Sequence, residues 1–187
     1  MIIGGLHGRE WRIIRPILQR VKPRDIKGTI ILAPRISFQK KYISTLNPKY
    51  YELPMGKRLL SLLRAYKPDI YLEIHGYSQK SLPKLTDPSR IEKYGAPPFY
   101  KLNNNILIGC VSPLLLRRIF ISASFAVEVP LKLDDEALNY AGYLLRLLME
   151  SQDKEDIWRR IAGLDDSIEY RDYMRRIRTW IYKIGKL

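Results

Sequence analysis

Five short apolar runs rich in β-branched residues, separated by amphipathic stretches, constrain this chain more than any other feature of its sequence. The runs are Met1–Gly5, Gly28–Ala33, Asp69–His75, Asn105–Val111 and Ser124–Val129. Most carry apolar residues at consecutive positions, the mark of strands covered on both faces. Between them, Glu10–Val21, Met55–Tyr66 and Asp134–Glu150 repeat apolar residues at helical spacing. In the second of these Leu59, Leu60, Leu62 and Leu63 form one face, with Lys57, Arg58 and Arg64 outside it. Strands alternating with helices imply right-handed crossovers and a largely parallel sheet. The expected fold class is α/β: a mostly parallel or mixed twisted sheet flanked by helices.

Beyond Glu150 the pattern changes. Ser151–Lys154 reads as a hinge into two further helices, Glu155–Ala162 and Asp165–Ile184. In the last, Tyr170, Met174, Ile177, Ile181 and Ile184 fall on one stripe flanked by Arg171, Arg175 and Arg178. Two regions follow, an α/β domain over 1–150 and a helical C-terminal extension over 151–187. The stripe is expected to dock on the domain or on a second copy in a homo-oligomer. A membrane surface suits it less, because acidic residues are mixed in and no polybasic run exists. Pro34–Pro54 and Gly76–Pro98 read as long loops, which in compact domains are functional or disordered.

Composition narrows the function. A 46% hydrophobic content over 187 residues supplies a full core and excludes disorder as the overall state. No apolar run reaches the roughly 20 residues of a membrane span. Met1 is followed at once by Ile-Ile-Gly-Gly, without the pattern of a secretory signal, so a cytoplasmic protein without a membrane partner is expected. The single cysteine, Cys110, excludes internal disulfides and multi-cysteine metal sites. The net charge of +14 is concentrated: residues 1–68 carry 15 Lys+Arg against 3 Asp+Glu, whereas residues 69–150 carry 9 of each. That asymmetry suggests a positive patch or cleft and an anionic ligand.

The chemistry centres on the two histidines, His7 and His75, each at the end of an expected strand and each followed by glycine. Carboxyl ends of parallel strands form the edge where ligands bind, so two histidines there can converge. Glu10, three residues after His7 at the start of a helix, can turn its carboxylate toward the same ion. Two imidazoles and one carboxylate suit zinc and leave a coordination position open for water. Glu128 interrupts the apolar strand Ala126-Val127-Glu128-Val129-Pro130 near its end. A carboxylate in that setting must be paired, metal-bound or functional, and beside zinc it is the candidate general base.

Gly4-Gly5-Leu6-His7-Gly8-Arg9-Glu10, the strand ending in Ile74-His75-Gly76, and Val127-Glu128-Val129 together resemble the zinc carboxypeptidase superfamily. Within it the likeness is to the succinylglutamate desuccinylase/aspartoacylase branch, and there to an uncharacterised archaeal group. The resemblance covers about residues 1–150. It implies a carboxypeptidase-like sheet, His7, Glu10 and His75 as zinc ligands, and Glu128 as the catalyst. Relatives in that branch also carry an arginine that polarises the scissile carbonyl, and an Asn-Arg pair that holds the substrate carboxylate. Here Arg35 is the candidate for the first role and Asn47 matches the asparagine, but Pro48 stands in place of its arginine. Lys49, Lys40 and Lys41 are the other cations of that loop available to an anionic substrate, although lysine does not reproduce a bidentate guanidinium.

The reading that follows is a zinc-dependent hydrolase acting on an amide or peptide bond of a small anionic substrate, such as an N-acyl amino acid. Two alternatives belong to other classes: a noncatalytic descendant of the fold serving as an interaction protein, and a basic nucleic-acid-binding module. Against the last stand the lack of a recognised motif and the confinement of charge to one third of the chain. Cys110 reads as core filler, since no third histidine exists to activate it. Glu73 lies on the same side of its strand as His75, where it faces a helix end or solvent, or supports that histidine. Tyr42, Tyr50 and Tyr51 line a pocket or pack the loop down.

Overall fold

The computed structural model describes residues 1–8, 10–21, 26 and 28–187. Six strands form one sheet: β1 (Ile2–Gly4), β2 (Leu32–Ala33), β3 (Ile70–Tyr77), β4 (Tyr100–Lys101), β5 (Leu107–Gly109) and β6 (Ala123–Pro130). Their order across it is β2-β1-β3-β6-β5-β4. The first four in that order run parallel, while β5 is antiparallel to both β6 and β4. The sheet is therefore mixed, and the protein is α/β.

The two eight-residue strands β3 and β6 lie side by side at the centre, paired from Ile70↔Ala123 to Tyr77↔Pro130. Their consecutive apolar residues are buried on both faces, as the continuous apolar runs require. The helices are α1 (Trp11–Arg20), α2 (Pro54–Tyr66), α3 (Leu82–Thr86), α4 (Arg90–Tyr94), α5 (Pro113–Leu116), α6 (Asp135–Met149), α7 (Lys154–Ala162) and α8 (Ile168–Ile184). Leu72, Ile74 and Gly76 of β3 share a face with Phe125, Val127 and Val129 of β6. Helices α1, α6 and α7 pack on that face: a Cβ on Gly76 would meet Ile13 of α1 at 2.5 Å, and the Phe125 ring lies 4.6 Å from Trp158 of α7. Glu73, His75 and Glu128 point to the other face.

Differences from the sequence expectation have local causes. Strand β2 is shorter than Gly28–Ala33 because it is an edge strand whose only partner, β1, is itself three residues long. The Asn105–Val111 run contracts to Leu107–Gly109, since Asn103–Asn105 form a 3-10 turn with Asn104 and Asn105 in left-handed conformations. Gly76–Pro98 is no plain loop. Strand β3 continues to Tyr77, and α3, α4 and a 3-10 turn at Gln79–Ser81 follow, with prolines in the first turn of α3 and between the helices.

The apolar stripe of α8 is buried, and α7 and α8 share one hydrophobic core with the sheet. The Tyr173 hydroxyl donates to the carbonyls of Pro98 (3.0 Å) and Ile108 (2.9 Å). Of the two places expected for the stripe, it takes the first, packed on the domain, and Arg171, Asp172, Arg175, Arg176 and Lys183 face outward. No helix among the described residues is long and apolar enough to cross a membrane.

Candidate active site

After β1 the chain turns through Gly5 (φ 57°) and Gly8 (φ 45°), left-handed conformations that cost glycine little. A Cβ on Gly5 would also lie 2.9 Å from Trp11 Cβ and 3.0 Å from the Pro34 carbonyl. This turn carries His7 back over the carboxyl edge of the sheet and places Glu10 at the residue before α1, whose Oε2 accepts from the His7 backbone N–H at 3.2 Å. Arg9, between them in the motif, lies outside the described residues. Tyr50 buttresses the turn, its hydroxyl donating to the Leu6 carbonyl (3.2 Å) and its ring meeting the His7 ring edge-on at 5.4 Å.

His75 arrives from β3. Its Nε2 lies 3.0 Å from Glu73 Oε2, and Glu73 Oε1 accepts from the Tyr71 hydroxyl at 2.8 Å. Residues 71, 73 and 75 alternate onto one face, so the strand itself builds this relay. Glu73 is 1% exposed and faces neither helix end nor solvent; it supports the histidine. With Nε2 so engaged, His75 Nδ1 faces Glu10 Oε2 at 3.8 Å. The His7 and His75 rings stack at 5.2 Å, and Tyr42 covers His7 at 4.7 Å.

One ligand atom each from His7, Glu10 and His75 lies within 4.8 Å of the other two, and all three residues are buried. Among the described residues, His7 Nδ1 is buried with no hydrogen-bond partner. Burial pushes the His7 imidazole down to about 4, with Glu10 opposing and His75 assisting, which leaves it neutral and its lone pair free. Burial also acts to lower His75, but the adjacent Glu10 carboxylate, the Glu73 carboxylate that accepts its hydrogen bond, and the charge of Glu128 outweigh it, holding His75 well above its usual value. A proton on His75 thus sits among three carboxylates, a place whose chemistry favours a cation. An orphan imidazole nitrogen, a second imidazole oriented by a carboxylate, and Glu10 form a donor set that fits zinc.

Glu128 is the register partner of His75 on β6. Among the described residues it makes no hydrogen bond or ion pair, and burial pushes its carboxyl up to about 7; His75 and Arg90 pull it down, while Glu10 and Glu73 push it up. Glu128, His7, Glu10 and His75 all line one cavity of about 710 Å³, a size suited to a small molecule. Its lining also includes Leu85, Arg90, Ala96 and Phe99, from α3, α4 and the residues after them.

The cations expected at the site lie elsewhere. Arg35 is exposed and sits over the Trp11 and Phe38 rings at 4.9 and 4.3 Å, with Nε donating to the Ser37 carbonyl. Lys40, Lys41 and Lys49 are exposed and do not line the cavity. Asn47 does line it, but its Oδ1 accepts from the Lys49 backbone N–H at 3.0 Å and so caps the 3-10 turn Pro48–Glu52. The described Lys and Arg residues of the first third are all exposed, and none of them lines the cavity. The cavity's cations are Arg90 and Lys84 instead. Sequence reasoning missed Arg90 because nothing marked it within a proline-rich stretch; the arginine opening a short helix is visible only once that helix is. Cys110 also lines the cavity, as a buried thiol pushed up by burial, far from the state of a nucleophile.

Comparison with known proteins gives two matches. Residues 1–179 match a family described as an uncharacterized protein conserved in archaea (DUF2119). Uncharacterized protein MJ0501 of Methanocaldococcus jannaschii is 33% identical over 187 residues, covering 94% of this chain and 89% of that protein. No solved structure matches.

Proposed function

The chain belongs to the DUF2119 family of archaeal proteins, and we propose that its cavity serves zinc-dependent hydrolysis of an amide or peptide bond in a small anionic molecule, as in a deacylase or carboxypeptidase-like enzyme. The observation that carries this reading is the convergence of His7, Glu10 and His75 within 4.8 Å, with Glu128 beside His75 on the neighbouring strand. The order of these four residues along the chain also agrees with the aspartoacylase-like motif pattern.

His7, Glu10 and His75 are the residues that would hold the ion. A bound zinc supplies Lewis acidity, lowering the pKa of water and polarising a carbonyl. Glu73 fixes the His75 tautomer, its carboxylate accepting from Nε2 and leaving Nδ1 for the ion. Glu128, with a carboxyl near neutrality, takes a proton from the attacking water and passes it to the leaving nitrogen. The water oxygen bonds to the carbonyl carbon as the C–N bond breaks. Tyr42 covers the His7 ring, and Phe99 gives the cavity an apolar lining. A single buried cysteine suits the reducing cytoplasm in which we place this activity.

The test is a screen of the zinc-loaded protein against N-acyl amino acids and short peptides, repeated with Glu128→Gln. The variant is expected to keep its zinc and lose turnover by roughly 10²- to 10⁴-fold. Undiminished turnover would remove Glu128 from this role. Zinc bound without turnover of any substrate would favour the noncatalytic reading.

A further inference from the structure

Arg90 is the least expected group in the cavity. Its side chain belongs to a residue only 7% exposed, on the first turn of α4. Nη1 donates to the Pro97 carbonyl, and the guanidinium lies over the Phe99 ring, 4.9 Å from its centroid. Among the described residues no carboxylate is within ion-pair distance of it, and no other hydrogen bond engages its remaining N–H groups. A guanidinium carries five donors and does not lose its proton, so a buried one with a single acceptor leaves most of its hydrogen-bonding capacity unmet. Glu128 feels its charge across the cavity without pairing with it.

The cavity thus carries both signs of charge: the carboxylates of Glu10, Glu73 and Glu128 with the two imidazoles, and the guanidinium of Arg90 with exposed Lys84; Leu85, Ala96 and Phe99 also line it. The aromatic ring of Phe99 lies against the guanidinium, and apolar Leu85 and Ala96 line the same cavity. An anion held there by a fork of N–H donors would lie against hydrocarbon.

We propose that Arg90 is the specificity-determining residue of this site and that its partner is a single carboxylate on a molecule with an apolar or aromatic side group. The assignment rests on reading the cavity as a substrate site. It moves anion recognition from the loop at 35–49 to the helical segment at 79–99. A ligand in the cavity presents its carboxylate to Arg90, packs its apolar part on Phe99 and Leu85, and directs its amide toward Glu128.

Calorimetric titration of N-acetyl-L-phenylalanine, and separately of its uncharged C-terminal amide, into the full-length protein tests this. The protein is first treated with chelator, so that nothing is turned over, and the titrations are repeated with zinc restored. The acid is expected to bind about 10- to 100-fold more tightly than the amide. Arg90→Gln should abolish that ratio while leaving the affinity for the amide unchanged, and Arg90→Lys should retain only part of it. Equal affinities in the unmodified protein, no detectable binding of the acid, or a ratio that survives Arg90→Gln would overturn the assignment. If Arg90→Gln does not fold, the unmodified protein and Arg90→Lys decide, by whether the ratio exists and falls. Discrimination in the chelated protein is read whether or not zinc binds, so it can stand if the hydrolase reading fails, and fail if that reading stands.

Discussion

Asp156, in the C-terminal helical pair, is a buried carboxylate and Glu128, at the carboxyl edge of the sheet, a half-buried one, and their surroundings treat them in opposite ways. Asp156 accepts from the Gln152 backbone N–H (3.0 Å) and from the guanidinium groups of Arg159 and Arg160, which together hold its carboxyl below the usual range. Glu128 has no such partner, and its carboxyl is pushed up. The contrast extends to whole regions. Helices α7 and α8 are capped by Asp153 and Ser167, bury continuous apolar stripes, and contain none of the buried partnerless polar atoms found among the described residues. Of such atoms, His7 Nδ1 belongs to a residue lining the cavity. One region is built so that local and tertiary preferences agree; the other keeps unmet polar groups where a ligand can meet them.

Substitutions should expose this difference. The largest loss of stability is expected in the helical pair: Ile177→Ala, at a 1% exposed position, should cost about 2–5 kcal/mol in denaturant unfolding while leaving zinc affinity unchanged. In the site, a neutral substitution should do the reverse. Glu128 titrates at about 7 in the folded protein against an ordinary 4.5, so the folded state binds the proton more tightly. Its contribution is therefore present below the ordinary value and lost as pH rises through 7. In chelator-treated protein at pH 8, Glu128→Gln should raise stability by roughly 1–3 kcal/mol, and the gain should vanish near pH 4. A loss at pH 8 would mean that Glu128 is a structural carboxylate like Asp156.

Asp156→Asn is the mirror experiment. Because the folded carboxyl sits below its ordinary 3.8, its contribution is present above that value and lost as pH falls through the folded one. A cost of about 1–2 kcal/mol is expected at pH 7, limited by the exposure of Arg159, and it should disappear in acid. The smallest effect is expected for Asp153→Ala. This removes the oxygen that accepts from the Glu155 and Asp156 backbone N–H groups at the start of α7, at about 1 kcal/mol in thermal unfolding.

Legibility in the sequence followed the same division. The stripe from Tyr170 to Ile184 and the paired runs of β3 and β6 could be read directly, because periodicity and burial agree there. His7, His75 and Glu128 are legible as exceptions, polar residues at or near the ends of apolar strands, and Glu10 by its spacing from His7 at a helix start; the fold brings all four to one cavity. The two histidine–glycine pairs looked alike but arise differently: Gly8 supplies a left-handed turn, whereas Gly76 makes room for Ile13 of α1. The cations could not be placed. Arg35 and Lys49 have the right charge in the right loop, but charge has no period, and stacking on Trp11 or a helix cap used the loop otherwise. Arg90 needed α3 and α4 to be seen first.

Zinc titration of the purified full-length chain, compared with His7→Ala and His75→Ala, tests most directly whether the carboxyl edge of this sheet holds an ion. About one zinc per chain is expected, with binding lost or strongly weakened in both variants while their folding by circular dichroism is kept. Absence of stoichiometric zinc, or an affinity indifferent to both substitutions, would contradict the account.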